Sequence, residues 1–180
     1  MKRNMYKFFW AWDFEKEEKW LNEMSSKGLQ LTGIGLCKYI FEEGTPGEYS
    51  YRLIMLENMP GHHESERYIR FIEETGVEHV GSFFRWVYFR KKSDNNEFEL
   101  FSDIKSHINH LNRLLFLLGI FAGLNLLNGI HQFFSWLSLD KSFFPVAAIL
   151  CLTVGLTISY GFVYIFFKKR KLKRENVLRE

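Results

Sequence analysis

Residues 18–42, EKWLNEMSSKGLQLTGIGLCKYIFE, lie without a gap on residues 66–90, ERYIRFIEETGVEHVGSFFRWVYFR. Glu18, Gly28, Gly33 and Phe41 meet Glu66, Gly76, Gly81 and Phe89, and Leu21/Ile69, Met24/Ile72 and Leu29/Val77 match in kind. Four identities in twenty-five pairs exceed chance only modestly. The order of local signals repeats as well, and this is what makes the duplication worth reading as structure. In each segment apolar residues at helical spacing run up to a glycine, a natural helix stop, and alternating strand patterns follow.

The flanks extend both segments. Residues 5–12 are aromatic-rich and read as a strand. Asp13 fits a helix N-cap, with Glu15, Glu17 and Glu18 in the first turn. Short strands are expected at about 29–32 and 36–42, then a Gly44-Thr45-Pro46-Gly47 turn and a strand at about 49–56. Ser65 closes the next loop as the expected N-cap of a second helix reaching about residue 75. Strands at about 77–82 and 84–91 complete the region. The expected fold is α+β. Residues 1–97 form two βαββ units, an antiparallel sheet with two helices on one face.

Strand residues alternate faces, so Tyr39, Phe41, Val87 and Phe89 should face the helices. The opposite face receives Lys38 and Ile40 in one half, Trp86 and Tyr88 in the other. That second face is aromatic and has no helix of its own. With Trp10 and Tyr51 it is the candidate surface for a ligand or protein partner. The plainer reading is that it packs on itself.

A different pattern begins near Leu111. Residues 114–134 and 143–167 contain no Asp, Glu, Lys or Arg, and each is long enough to cross a hydrocarbon core about 30 Å thick as a helix. They make residues 114–167 a two-span hairpin, preceded by a juxtamembrane helix at 98–113 and followed by a tail at 168–180. The tail holds seven Lys/Arg against two Glu. The basic excess predicts a multi-pass protein of the cell membrane with both termini cytoplasmic. No signal peptide is expected, because Asp13 breaks the apolar run after Met1-Lys2-Arg3. Either the tail is only a topology anchor or it also meets anionic lipid, at about 1 kcal/mol per basic residue.

Charge narrows the partners. Residues 1–110 carry fifteen Lys/Arg and eighteen Asp/Glu, so the overall +3 belongs to the tail. A slightly acidic domain argues against direct nucleic-acid binding. Cys37 and Cys151 fall in different regions and suit a reducing compartment unpaired.

Few motifs carry chemistry. Gly33-Ile34-Gly35 lacks a third glycine and precedes a strand, which excludes a dinucleotide loop. His62 and His63, beside Glu64 and Glu66, are weak metal candidates, because adjacent histidines rarely both serve one ion. His107 and His110 share a helix face and read either as a metal-binding or pH-sensing pair or, more plainly, as interfacial polar residues. No catalytic residue, metal or cofactor is expected, and the chain is read as not an enzyme.

The first span has two unlike faces. Asn125, Asn128, His131 and Gln132 form a polar stripe, with Gly119-xxx-Gly123 roughly opposite and Gly155-xxx-Ser159 in the second span. Small residues permit close helix approach, and polar groups at depth face other helices. One face should pack the neighbouring span, the other a second copy or a different membrane protein.

Trp12-Asp13, Glu17, Trp20-Leu21, Met24 and Gly28 resemble the bacterial domain-of-unknown-function family 2812, as do Tyr39, Phe41, Pro46, Tyr49, Tyr51-Arg52, Gly76, Trp86 and Tyr88-Phe89. Leu29 and Val77 depart from it, where an aromatic is frequent. The resemblance implies a membrane-anchored cytoplasmic domain, often encoded beside a PadR-type transcriptional regulator, and it carries no catalytic residues. The doubled unit is also similar to ferredoxin-like and GyrI-like folds, an analogy of architecture alone. The leading functional expectation is a membrane-anchored sensory or interaction protein that binds a small amphipathic ligand or a regulatory protein partner. The alternative is an accessory subunit of a transporter or cell-envelope stress system acting through its hairpin.

Overall fold

A computed structural model describes residues 2–93, 104–139 and 146–177, with the side chains of the two long helices described for 107–138 and 146–174. The start of the juxtamembrane segment, most of the linker before it, the inter-span loop with Pro145 and the end of the tail lie outside the described residues. The chain forms two compact units, Met1–Asp103 and Ile104–Glu180.

The first unit is a doubled strand–helix–strand–strand pattern. Its first half comprises β1 (Lys2–Tyr6), α1 (Phe14–Ser26), β2 (Leu29–Gly35) and β3 (Lys38–Glu43). Its second comprises β4 (Tyr49–Met55), α2 (His63–Glu73), β5 (Glu78–Phe83) and β6 (Trp86–Lys92). Each half makes its own three-stranded antiparallel sheet, in the orders β1-β3-β2 and β4-β6-β5. The equivalence of the halves extends to their irregularities. The β2–β3 register shifts between Leu31 and Gly33, and the β5–β6 register shifts between His79 and Gly81. Both bulges stand at the repeated glycine, where an extra residue bends the strand. Gly28 and Gly76 end the helices at φ +79° and +82°, a conformation that costs any residue with a Cβ.

Local boundaries differ from expectation for identifiable reasons. The strand expected at 5–12 stops at Tyr6, because its partner β3 begins at Lys38 and only Lys7 N, donating to Cys37 O, continues the pairing. Asp13 stands at the N-cap position of α1, but its carboxylate pairs with Lys16 at 2.7 Å instead of capping. The cap of α2 is His62, whose Nδ1 accepts from Glu64 N. Ser65 is instead a buried residue of that helix, donating to Asn58 O.

Tyr39 and Phe41 pack under α1 with Trp20, Leu21, Met24 and Leu31, while Val87 and Phe89 pack under α2 with Ile69, Ile72 and Val77. Each helix therefore covers the expected side of its own sheet. The other side of β4–β6 is covered too: Tyr51, Leu53 and Tyr88 belong to the same cluster as α1. Helix α1 lies between the two sheets, and α2 touches only one. Burying a helix on two sides requires polar partners for the backbone it meets. Three side chains one helical face apart provide them along the free edge of β4. Ser25 donates to Tyr49 O, Asn22 bonds both N–H and C=O of Tyr51, and Glu18 accepts from Leu53 N. An edge strand that would otherwise template aggregation is thereby closed.

The second unit is a pair of long helices, α3 (Ile104–Leu139) and α4 (Val146–Val177). Both are long and apolar enough to cross a membrane, over His107–Ser138 and Val146–Arg174, and most of their residues are not buried within the unit. The two helices pack on each other through glycines. A Cβ at Gly129 would meet Leu152, and one at Gly155 would meet Leu126, both under 3.0 Å. A Cβ at Gly119 would stand 3.4 Å from Phe162, whereas a Cβ at Gly123 would meet no neighbour within 4 Å among the described residues outside its own stretch of helix. Asn125 donates to Phe121 O and Ser159 to Gly155 O, each within its own helix, and Asn128 is exposed.

Candidate functional site

Helix α1 carries an acid in its apolar stripe. Glu17, Trp20, Leu21 and Met24 follow i, i+3, i+4, i+7, and all four are buried. Glu17 is 7 % exposed. Tyr39 Oη donates to its Oε1 at 2.7 Å from β3, and Tyr88 Oη donates to the same oxygen at 2.5 Å from β6. One carboxyl oxygen thus joins α1 to both sheets. Burial pushes the Glu17 carboxyl above its ordinary range, and the two phenol donors pull against that shift without cancelling it. Burial and the neighbouring carboxyl both raise the Tyr39 and Tyr88 phenols, so they remain donors.

These three groups line a cavity of about 190 Å³. Its apolar walls come from the segment after β1, the start of α1 and two hairpin tips: Phe8, Phe9, Trp10 and Phe14 on one side, Leu36, Phe83 and Trp86 on the other. The rings support one another. Trp10 stacks on Trp12 at 4.9 Å, Phe8 meets Trp10 edge-on, and Phe14 lies 5.5 Å from Trp86. Lys7 also lines the cavity, with its ammonium 5.0 Å from the Phe9 ring centre and 4.7 Å from that of Trp20.

The mouth is an apolar rim. Phe8 is 60 % exposed, Trp10 44 % and Leu36 74 %. Scattered apolar residues are ordinary on a surface, whereas these are grouped around one cavity. Cys37 and Phe84, at the tips of the two hairpins, hold φ of +52° and +55°. Such left-handed backbone is unusual for side chains of their size and is what a two-residue hairpin loop requires.

Of the four residues singled out for the aromatic face, Trp10, Trp86 and Tyr88 line this cavity together. Tyr51 does not. It is fully buried, accepting from Leu31 N and donating to Gln30 Oε1, and so ties β4 to β2. The aromatic face is therefore closed by α1 along most of its length and open only at the Trp86 end. Glu17 was read from sequence as a first-turn acid. The signal that it is more lies in its register with Trp20, Leu21 and Met24, where a solvated acid has no place.

His62 is occupied as a helix cap, and His63 Nε2 lies 2.8 Å from Arg67. Among the described residues no group of three His, Cys, Asp or Glu is placed to hold a metal ion. His110 is buried at the start of the first span.

No curated protein and no solved structure matches the chain. A family described as protein of unknown function (DUF2812) matches residues 13–122, which takes in both helices of the first unit, every strand after β1 and the first part of the first span. With most of its length matched, including Glu17 and both tyrosines that bond it, the chain belongs to the DUF2812 family.

Proposed function

We propose that this is a membrane-anchored sensory or interaction protein whose N-terminal unit lies on the cytoplasmic side and binds a small amphipathic ligand in the cavity above Glu17. The observation that carries the reading is the cavity itself: aromatic walls, an exposed apolar rim and one buried carboxyl at the floor. Small-molecule sites have this make-up, mostly apolar with a few placed polar groups. Binding without chemistry is favoured because the polar groups at the floor are already bonded to one another. The ligand's presence would then alter a surface offered to a regulatory protein partner. Cytoplasmic placement of both termini follows from the basic tail at 168–180.

The test is calorimetric titration of the full chain in lipid nanodiscs with 2-phenylethanol, a small neutral amphiphile. Binding should be seen, and Trp10→Ala with Trp86→Ala should abolish it. Unchanged binding in that double variant would place the ligand elsewhere. A reporter fused after Glu180 should be active only in the cytoplasm.

A second reading places function in the hairpin, as an accessory subunit of a transporter or envelope-stress system. It is favoured by the exposed Asn128 and by the open space at Gly123. Replacing both spans with unrelated ones separates the readings, since activity survives the exchange only under the first.

A further inference from the structure

Within that reading, we propose that the ligand is a small organic cation, an amine or quaternary ammonium on an apolar body, with the Glu17 carboxylate as its counter-charge and the aromatic walls around it. Three observations converge. The first is the state of Glu17. It is buried, it takes hydrogen bonds from two phenols on Oε1 alone, and its Oε2 takes none among the described residues. Two hydroxyl donors stabilise an anion but do not neutralise it.

The second is the lack of a protein cation. Among the described residues no Lys, Arg or His forms an ion pair with Glu17. Buried charges are normally paired. Lys7 lines the same cavity, yet its ammonium rests on the rings of Phe9 and Trp20.

The third is what Lys7 demonstrates about the walls. The Phe9 ring, part of the lining, accepts an ammonium against its face at 5.0 Å, so that wall is itself cation-compatible. A cationic ligand would gain both the ring faces and the carboxylate, and it would compete with Lys7. An anionic ligand would meet Glu17 unscreened.

Three probes of similar shape separate the charges: phenethylammonium, 2-phenylethanol and phenylacetate, titrated calorimetrically into the full chain in nanodiscs. Phenethylammonium should bind about tenfold or more tighter than 2-phenylethanol, and phenylacetate should not bind detectably. In Glu17→Gln the amine and the alcohol should bind with the same affinity. Lys7→Gln should tighten the amine about threefold by removing the competitor. Equal affinity for amine and alcohol, or an amine preference that survives Glu17→Gln, overturns the cation and leaves the cavity reading standing. Binding of none of the three overturns both. If Glu17→Gln does not fold, Lys7→Gln decides: an amine affinity that stays level or falls overturns the proposal.

Discussion

The two halves of the N-terminal unit share one plan, 48 positions apart, and use it differently. Helix α1 presents Glu17, Trp20, Leu21 and Met24 where α2 presents Ser65, Tyr68, Ile69 and Ile72. Both helices bury a polar group at the first of these positions, 7 % exposed in Glu17 and 4 % in Ser65. Ser65 settles into its own half by bonding Asn58 O, whereas Glu17 reaches a tyrosine from each sheet. The adjacent faces diverge in the same sense. Glu18, Asn22 and Ser25 close the edge of β4, while their counterparts Glu66 and Arg70 make an exposed ion pair with each other at 3.6 Å. A helix between two sheets has to satisfy polar groups on both sides. A helix with water behind it does not. The two halves share the frame, and the inner position of α1 is where the cavity lies.

The comparison breaks most visibly if the cores are unequal. Phe41 and Phe89 are counterparts, both fully buried. Phe41→Ala and Phe89→Ala should each cost about 3–5 kcal/mol in denaturant unfolding of the full chain followed by tryptophan fluorescence. A loss confined to one of them would show that only one half carries stability.

The helix edges should then differ. Asn22→Ala removes both bonds to Tyr51 and should cost about 1–3 kcal/mol, against roughly 0.5 or less for Arg70→Ala at the exposed counterpart. Equal costs would mean that the β4 edge finds water as readily as it finds α1.

Glu17 adds a pH dependence that Ser65 cannot. Its folded pKa is raised above the unfolded value of 4.5, so folding takes up a proton between the two. The contribution is fully present below about 4.5 and lost as pH rises through the folded pKa. Facing groups are Tyr39 from β3 and Tyr88 from β6, whose raised phenols stay protonated across this window; Lys7 and Cys37 share the cavity. Relative to wild type, Glu17→Gln should therefore gain stability as pH rises, while Ser65→Ala should show a difference independent of pH. A flat Glu17→Gln profile would contradict the burial of an ionisable carboxyl.

The smallest effect is expected at the bulges. A Cβ at Gly33 would stand 3.3 Å from Ile40 Cδ1, and one at Gly81 3.5 Å from Ile34 Cδ1. Gly33→Ala and Gly81→Ala should each change stability by about 1 kcal/mol or less, with Gly33→Ala the more costly.

Much of this was legible before folding. The helix stops at Gly28 and Gly76, the alternation that puts Tyr39, Phe41, Val87 and Phe89 under helices, and the apolar spans are encoded in short windows. The sequence places Trp10, Trp86 and Tyr88 in one aromatic group, and the three line one cavity. Tyr51 was grouped with them because alternation assigns a face and does not say what will cover it. Glu17 was missed as a site residue because an acid in a first helical turn has a sufficient local explanation in the helix dipole.

The sequence by itself determined the doubled strand–helix–strand–strand order, its glycine stops and two membrane-length helices, because backbone conformation and hydrophobic period are local properties. Only the tertiary structure decided that α1 rather than α2 lies between the sheets. The two helices carry similar stripes, and which becomes internal depends on how two nearly equivalent sheets close on each other. That choice buried Glu17, brought tyrosines from distant strands to one oxygen, and left the end of an aromatic face open as a cavity.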